Sequence, residues 1–292
     1  MRNEEPIVHG TDGTQWMHRW LMALVRRVGV RPLYAVMAVL VVPGYVLFRR
    51  KAFMAIWHYM RRRQGFGRWR SLRLTLLNHY RFGQVVIDRF AMYAGLTFRL
   101  DRPDDRPFQE LCARDEGFVV MSCHAGSYEM CGYTFAPDKK ACSVVVYGGE
   151  SASVKANRQR IFGEHNIRMI PVADDMSHIF LMNNALAEGQ IVSIPADRVF
   201  GSPRTVDCRL LGAKARLPLG PFALATQRGV KALAIFVMKE SAYRYTVHER
   251  PIEAGSEAPG ALAQAFATEM EKMLRQYPEQ WFNYYEFWAD DD

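Results

Sequence analysis

The chain reads as an α/β protein: a largely parallel mixed sheet with helices on both faces, preceded by an N-terminal basic, apolar helical segment suited to associating with a membrane. Beyond residue 107, short apolar runs rich in β-branched residues alternate with stretches of helical periodicity, the pattern of strand and crossover helix. Turn and cap residues punctuate them. Charge sets the N-terminal segment apart: from Trp16 to Arg89 fifteen Lys or Arg stand against Asp88 alone, although the whole chain of 292 residues carries only +8.

In order, residues 1–14 are polar, and Trp16 to Arg89 reads as several helices. Arg102-Pro-Asp-Asp-Arg-Pro107 then reads as a linker, which divides the chain into an N-terminal region, 1–107, and an α/β domain, 108–292. Residues 117–123 form an apolar run of strand length, and Ala125-Gly-Ser127 is turn chemistry with Ser127 able to cap a following helix. Strands are expected at 141–147, 167–172, 191–195, 230–239 and 243–248. Helices are expected at 151–165, at 176–188 closed by Gly189, and at 218–228. From Pro259, Leu262, Phe266, Met270, Met273 and Leu274 recur at helical spacing, which indicates core packing. With 49% hydrophobic residues the chain can bury a large core.

The basic clusters Arg26-Arg27, Arg49-Arg50-Lys51 and Arg61-Arg62-Arg63 bracket apolar segments, the longest running uncharged from Leu33 to Phe48. As a helix that segment would extend about 24 Å against a hydrocarbon core of about 30 Å, and Pro43-Gly44 would kink it. It is short for a span. A membrane-inserted or interfacial helix anchored by aromatics and snorkelling Arg fits, and a buried hairpin of core helices is the other reading. No small-residue cleavage site follows it, which disfavours a secretory signal. An anionic membrane is the expected partner. Nucleic acid is not expected, because the arm has no zinc-finger or RNA-recognition signature. Five cysteines without a C-x-x-C pair point away from a disulfide framework and towards a reducing compartment.

His124-Ala-Gly-Ser-Tyr-Glu129 places an imidazole and a carboxylate on one turn at the end of an apolar strand. A histidine near pKa 6.5 can take a proton at neutral pH, and a nearby carboxylate can orient it. Spacing alone is also compatible with a structural histidine beside an unrelated Glu. Cys123 adjoins the ring, but along a strand it would point to the opposite face, as a buried thiol. Asp174-Asp175-x-x-His178 has two acids and an imidazole but no fourth partner, and reads more simply as a helix N-terminus. No metal site is expected. Absence of G-x-S-x-G, G-x-G-x-x-G and Walker-type loops disfavours serine hydrolases, dinucleotide enzymes and P-loop NTPases.

The H-x-x-x-x-E turn resembles the signature of the lysophospholipid acyltransferase superfamily, most closely its lipid A late-acyltransferase branch. Ile191-Val-Ser-Ile-Pro-Ala-Asp197-Arg198, the block Leu211-Gly-Ala-Lys-Ala-Arg-Leu-Pro218-Leu-Gly220, and Tyr277-Pro-Glu-Gln-Trp281-Phe are similar to that branch's later blocks, in family order over about residues 115–283. The resemblance implies a membrane-associated acyltransferase that needs no cofactor. It would move a fatty acyl chain from an acyl carrier protein or coenzyme A thioester to a lipid acceptor, at the cytoplasmic face of the inner membrane. His124 would be the general base and Glu129 the orienting carboxylate. Asp197 and Arg198, and an Arg after the 141–147 strand, would bind substrate. Arg158 and Arg160 both fit that last place, and Arg158 is favoured. An amine or aromatic-lipid acceptor, or a non-catalytic lipid-binding protein, would use the same features.

Overall fold

A computed structural model describes residues 15–127, 129–130, 140–146, 167–172, 175–199, 204–253, 255 and 258–288. The apolar runs form a seven-stranded sheet from β1 (Arg99–Asp101), β2 (Phe118–Ser122), β3 (Cys142–Val146), β4 (Ile167–Pro171), β5 (Ile191–Pro195), β8 (Ala232–Ser241) and β9 (Arg244–Ile252), in the order β1-β9-β8-β2-β5-β3-β4. Every neighbouring pair is parallel except β8 with β9, whose short connection makes an antiparallel hairpin.

Two-residue periodicity divides the strands between two cores. Val119 and Met121 of β2, with Ala234, Phe236 and Met238 of β8, enter the larger one. There they meet α6 (Ser177–Ala187), α7 (Leu219–Arg228) and α8 (Pro259–Gln276) through Leu186, Phe222 and Phe266. Phe118 and Val120, with Leu233, Ile235 and Val237, face the other way, against Phe108 of α5 (Arg106–Cys112). Helices therefore cover both faces. Each large side chain so buried contributes about 1.5–3 kcal/mol.

Most of the expected strands and helices are present with ends shifted by a residue or two, and the expected 151–165 helix lies outside the described residues. Four elements were not anticipated. β1 pairs with β9, and α5 begins at Arg106 with Pro107 in its first turn, inside the expected linker. Strands β6 (Thr205–Leu210) and β7 (Ala213–Pro218) form a separate hairpin. Leu211 and Gly212 both adopt positive φ there, as a tight two-residue turn requires.

The N-terminal helices are α1 (Gln15–Val28), α2 (Val30–Phe48), α3 (Arg50–His58), which runs into a π-turn at Tyr59–Arg63, and α4 (Arg68–Tyr93). Ile56, Tyr59, Met60 and Leu74 join the larger core, so this region is fused to the sheet. Helix α2 takes in the whole apolar segment. It reaches 19 residues at mean hydropathy 1.7, long and apolar enough to cross a membrane by length and composition. Helical structure continues through Pro43; the irregularity is a π-turn at Met37–Val41 just before it. Val30, Tyr34 and Val42 are buried, and Met37 lies so close to Gly83 of α4 that a Cβ there would meet its sulfur at 2.7 Å. The other side is open: Leu47 is 78% exposed and Phe48 87%.

Candidate active site

The parallel register of β2 and β5 assembles the site. Ser122 lies beside Pro195, so two residues further along each chain His124 and Asp197 leave the sheet together at its carboxyl edge, where open α/β sheets place ligands. Asp197 is wholly buried. Its Oδ2 accepts the His124 backbone N–H at 2.9 Å, and its Oδ1 lies 2.7 Å from the ring Nδ1. With the carboxylate ionised, Nδ1 carries the proton and Nε2 is the ring's basic nitrogen. Burial pushes the imidazole pKa below its ordinary 6.5 against the pull of Asp197, and Arg198 adds to the lowering. Burial alone would raise the Asp197 carboxyl, but the His124 contacts and Arg198 hold it below the usual carboxylate range. The pair is therefore a neutral base beside an ionised acid, with the imidazole side chain 18% exposed.

Backbone bonds hold the turn that carries His124. Gly126 sits at φ +62°, where a Cβ would lie 2.1 Å from the Val237 carbonyl oxygen, so only glycine fits. Ser127 N–H donates to that carbonyl at 2.8 Å and Gly126 N–H to the Gln280 carbonyl at 2.8 Å. The Phe282 N–H donates to His124 O at 2.9 Å, and the Arg198 guanidinium donates to Phe282 O at 2.8 Å. The C-terminal segment thus splints both sides of the pair. It is itself held from α4, where the Asn78 amide donates to Trp281 O at 2.7 Å and Glu279 O at 3.1 Å.

The site residues expected from sequence fall into three groups. His124, Asp197 and Arg198 come together, but the side chain that reaches the ring Nδ1 is Asp197, the role assigned to Glu129 on sequence. Parallel pairing puts position 197 opposite 124, and Asp197 reaches His124 rather than its sequence neighbour Arg198 alone. Glu129 is buried in the following helical turn, and its Oε2 makes a 2.7 Å ion pair with Arg89 of α4. Its negative charge is still near enough to favour a protonated His124. Arg158 and Arg160 lie outside the described residues.

Cys123 is buried in the larger core, its thiol pKa pushed well up by burial, so it is a poor nucleophile. Asp175 accepts the Ser177 N–H at 3.0 Å in the turn before α6, a local contact, while Asp174 lies outside the described residues. Among the described residues no group of three or more His, Cys, Asp or Glu could hold a metal ion. Sequence reasoning missed Arg89 and Asn78, and quoted Gln280 only within the Tyr277–Phe282 block, with no role. Nothing local distinguishes them, since each acts across the fold.

The histidine held by a buried aspartate thus sits at the carboxyl edge of a largely parallel α/β sheet. The chain matches the family model of the bacterial lipid A biosynthesis acyltransferases over residues 98–288, more than half its length, and it belongs to that family. It is an acyltransferase. It is also similar to the crystal structure of the 1-acyl-sn-glycerophosphate (LPA) acyltransferase PlsC from Thermotoga maritima. That similarity is a TM-score of 0.40 at 10% identity, covering 91% of this chain and 97% of that one. No curated protein matches the chain.

Proposed function

We propose that this acyltransferase works at a membrane surface, transferring a fatty acyl chain from an acyl carrier protein or coenzyme A thioester to the hydroxyl of a lipid acceptor. His124 is the general base. The observation that carries this reading is the contact of the buried Asp197 with the Nδ1 of His124, which leaves Nε2 as the proton acceptor. Nε2 removes the acceptor's hydroxyl proton as that oxygen attacks the thioester carbonyl carbon. Collapse of the tetrahedral intermediate breaks the carbon–sulfur bond, and the thiolate leaves with the proton from the imidazolium. Asp197 stabilises the transient imidazolium, and Glu129, paired with Arg89, adds negative charge nearby. Arg198, and Arg158 beyond it in the same scheme, supply cationic donors for the oxyanion or a substrate phosphate.

Membrane association is supported by the open side of α2 and by exposed Trp16 and Trp20 of α1 and Trp69 of α4. Arg and Lys of the basic clusters each add about 1 kcal/mol of attraction to anionic headgroups. Since α2 is packed along α4 through Val30, Tyr34, Met37 and Val42, we favour attachment with α2 lying in the interface, on the cytoplasmic side of the inner membrane. Replacing His124 with Ala tests the chemistry. Turnover of a thioester with lipid acceptor should fall about 10²–10⁴-fold, while vesicle binding and thermal unfolding stay as in the wild type. An active His124→Ala enzyme would refute the assignment.

A further inference from the structure

One face of α4 holds both supports of the His124 turn. Asn78 and Arg89 are eleven positions apart, close to three full turns, so they lie within about 20° of each other around the helix. Asn78 grips the C-terminal splint through the Trp281 and Glu279 carbonyls, and Phe82 between them sets its ring centroid 5.3 Å from that of Phe282. Arg89 reaches the far end of the turn, where its Nε lies 2.7 Å from Oε2 of Glu129, the two side chains being 15% and 8% exposed. Taking His124 as the general base, we propose that Arg89 is its positioning residue: through Arg89, α4 fixes where the Glu129 charge stands relative to the imidazole, and the N-terminal region thereby completes the active site.

The reach of Arg89 is fixed from several sides. Asp88, the residue before it, stands about 100° away around α4 and is tied to Lys239 of β8 in a buried ion pair, so two neighbouring positions are anchored in two directions. Helix α4 cannot roll without breaking one of them. From α1, His18 packs against the same stretch: it is buried, its ring centroid lies 4.8 Å from that of Phe90, and its pKa is lowered by burial first and by the Arg89 charge second. Arg89 thus stands between α1 and the catalytic turn. It also lies ahead of the stretch 98–288 that matches the family model, so that match assigns it no role.

Two carboxylates serve one imidazole in different ways. Asp197 makes the direct contact at Nδ1, whereas Glu129 acts by charge, favouring the protonated ring while its own negative charge is matched by the guanidinium. Without that partner the buried carboxylate is free to turn, and its charge reaches the ring with nothing to offset it. Of the remaining groups around the imidazole, Asp197 and Arg198 belong to the end of β5, and Cys123 stays protonated because burial pushes its pKa well up. None of these is in contact with Arg89 through Glu129.

The test uses the full chain in a neutral detergent and reads His124 directly. Diethyl pyrocarbonate modifies neutral imidazole, so its rate at His124, followed across pH by peptide mass spectrometry, gives the titration of the ring without any substrate. Glu129→Gln should move that titration to lower pH by about 0.5 unit or more, because a charge that favours the imidazolium is gone. Arg89→Gln, which leaves Glu129 unopposed, should move it as far to higher pH and lower turnover about tenfold. The double variant Arg89→Gln/Glu129→Gln should bring the titration back to within about 0.2 unit of the wild type, and Arg89→Lys, which keeps the charge, should hold it there. Where Arg89→Gln alone does not fold, Glu129→Gln set against the double variant reads the same coupling with no unpaired carboxylate left behind. A merely structural Arg89 would lower thermal stability and turnover while every variant titrates with the wild type, and that result overturns the proposal. An active His124→Ala enzyme, with the shifts intact, would instead strike the proposed reaction and leave Arg89 placing charge beside the ring.

Discussion

Two wholly buried aspartates each hold a basic side chain, Asp197 at the carboxyl edge of the sheet and Asp88 where α2 and α4 meet β8 and β9, and they treat their partners differently. Asp88 and Lys239 are both fully buried and joined in an ion pair, and the Tyr34 and Tyr245 hydroxyls also donate to Asp88. Lys239 Nζ has the Tyr34 oxygen at 3.1 Å and the Ala242 carbonyl at 3.4 Å, and the Tyr245 ring centroid at 4.7 Å. Around that pair the hydrogen-bonding capacity is consumed, and α2, α4 and the β8–β9 hairpin are fastened at one point. Asp197 instead grips one side of an imidazole whose ring still reaches solvent. A saturated pair fixes geometry; a one-sided pair fixes geometry and leaves a proton acceptor in play.

The comparison breaks most sharply at Lys239. Lys239→Met leaves Asp88 buried without its counter-charge, and breaking a buried pair from one side costs about 3–5 kcal/mol. Thermal or chemical denaturation should register that loss, with residual activity tracking the folded fraction. Lys239→Met combined with Asp88→Asn should recover much of it, since replacing a whole buried pair is often near neutral. If the single variant is as stable as the wild type, the Asp88 cluster is not the clamp described.

How much of this was legible beforehand depends on how far each contact reaches along the chain. The β2 run, the His124 turn and the repeat of Leu262, Phe266 and Met270 are local patterns, and local patterns survive without knowledge of the fold. Asp197 was singled out too, as the neighbour of Arg198, but its contact with His124 spans 73 residues and depends on β2 and β5 being adjacent and in one register. Strand order is not written in periodicity. Arg89 was invisible for another reason: among fifteen cations of a basic arm, nothing marks the one that faces Glu129. The β6–β7 hairpin was readable and missed, because Ala213, Ala215 and Leu217 are buried in alternation with exposed Lys214 and Arg216, a two-residue period.

A substitution at Asp197 sharpens the contrast from the other side. Asp197→Asn keeps the shape and removes the charge, so the ring loses the partner that holds its tautomer and steadies the imidazolium. Turnover should fall about 10²-fold or more, with a far smaller change in stability than at Lys239. The pH profile gives an independent reading. Because burial holds the His124 pKa below 6.5, the wild-type rate should stay level as pH falls to about 6.5 and drop only further down, as the base is protonated. The Asp197 charge opposes this lowering, so in Asp197→Asn the acid limb should move to still lower pH. An acid limb at or above 6.5 in the wild type would contradict the geometry of the pair.

The smallest effect is expected at Gln280, which belongs to both regions at once. Its Oε1 accepts the Lys239 backbone N–H at 2.8 Å and its Nε2 donates to Lys239 O at 2.9 Å, while its own carbonyl receives the Gly126 N–H of the His124 turn. One buried residue thus links the strand that carries the saturated pair, through its side chain, to the turn that carries the open one, through its backbone carbonyl. Gln280→Ala strands a backbone donor and acceptor inside the fold, at about 1–3 kcal/mol, and loosens the splint without touching either the His124–Asp197 contact or the Lys239 ion pair. Stability should drop modestly and kcat several-fold, with the acid limb of the pH profile where the wild type has it. A displaced limb would mean that Gln280 acts on the ionisation of His124 and not on the position of its turn, and the splint would then need another explanation.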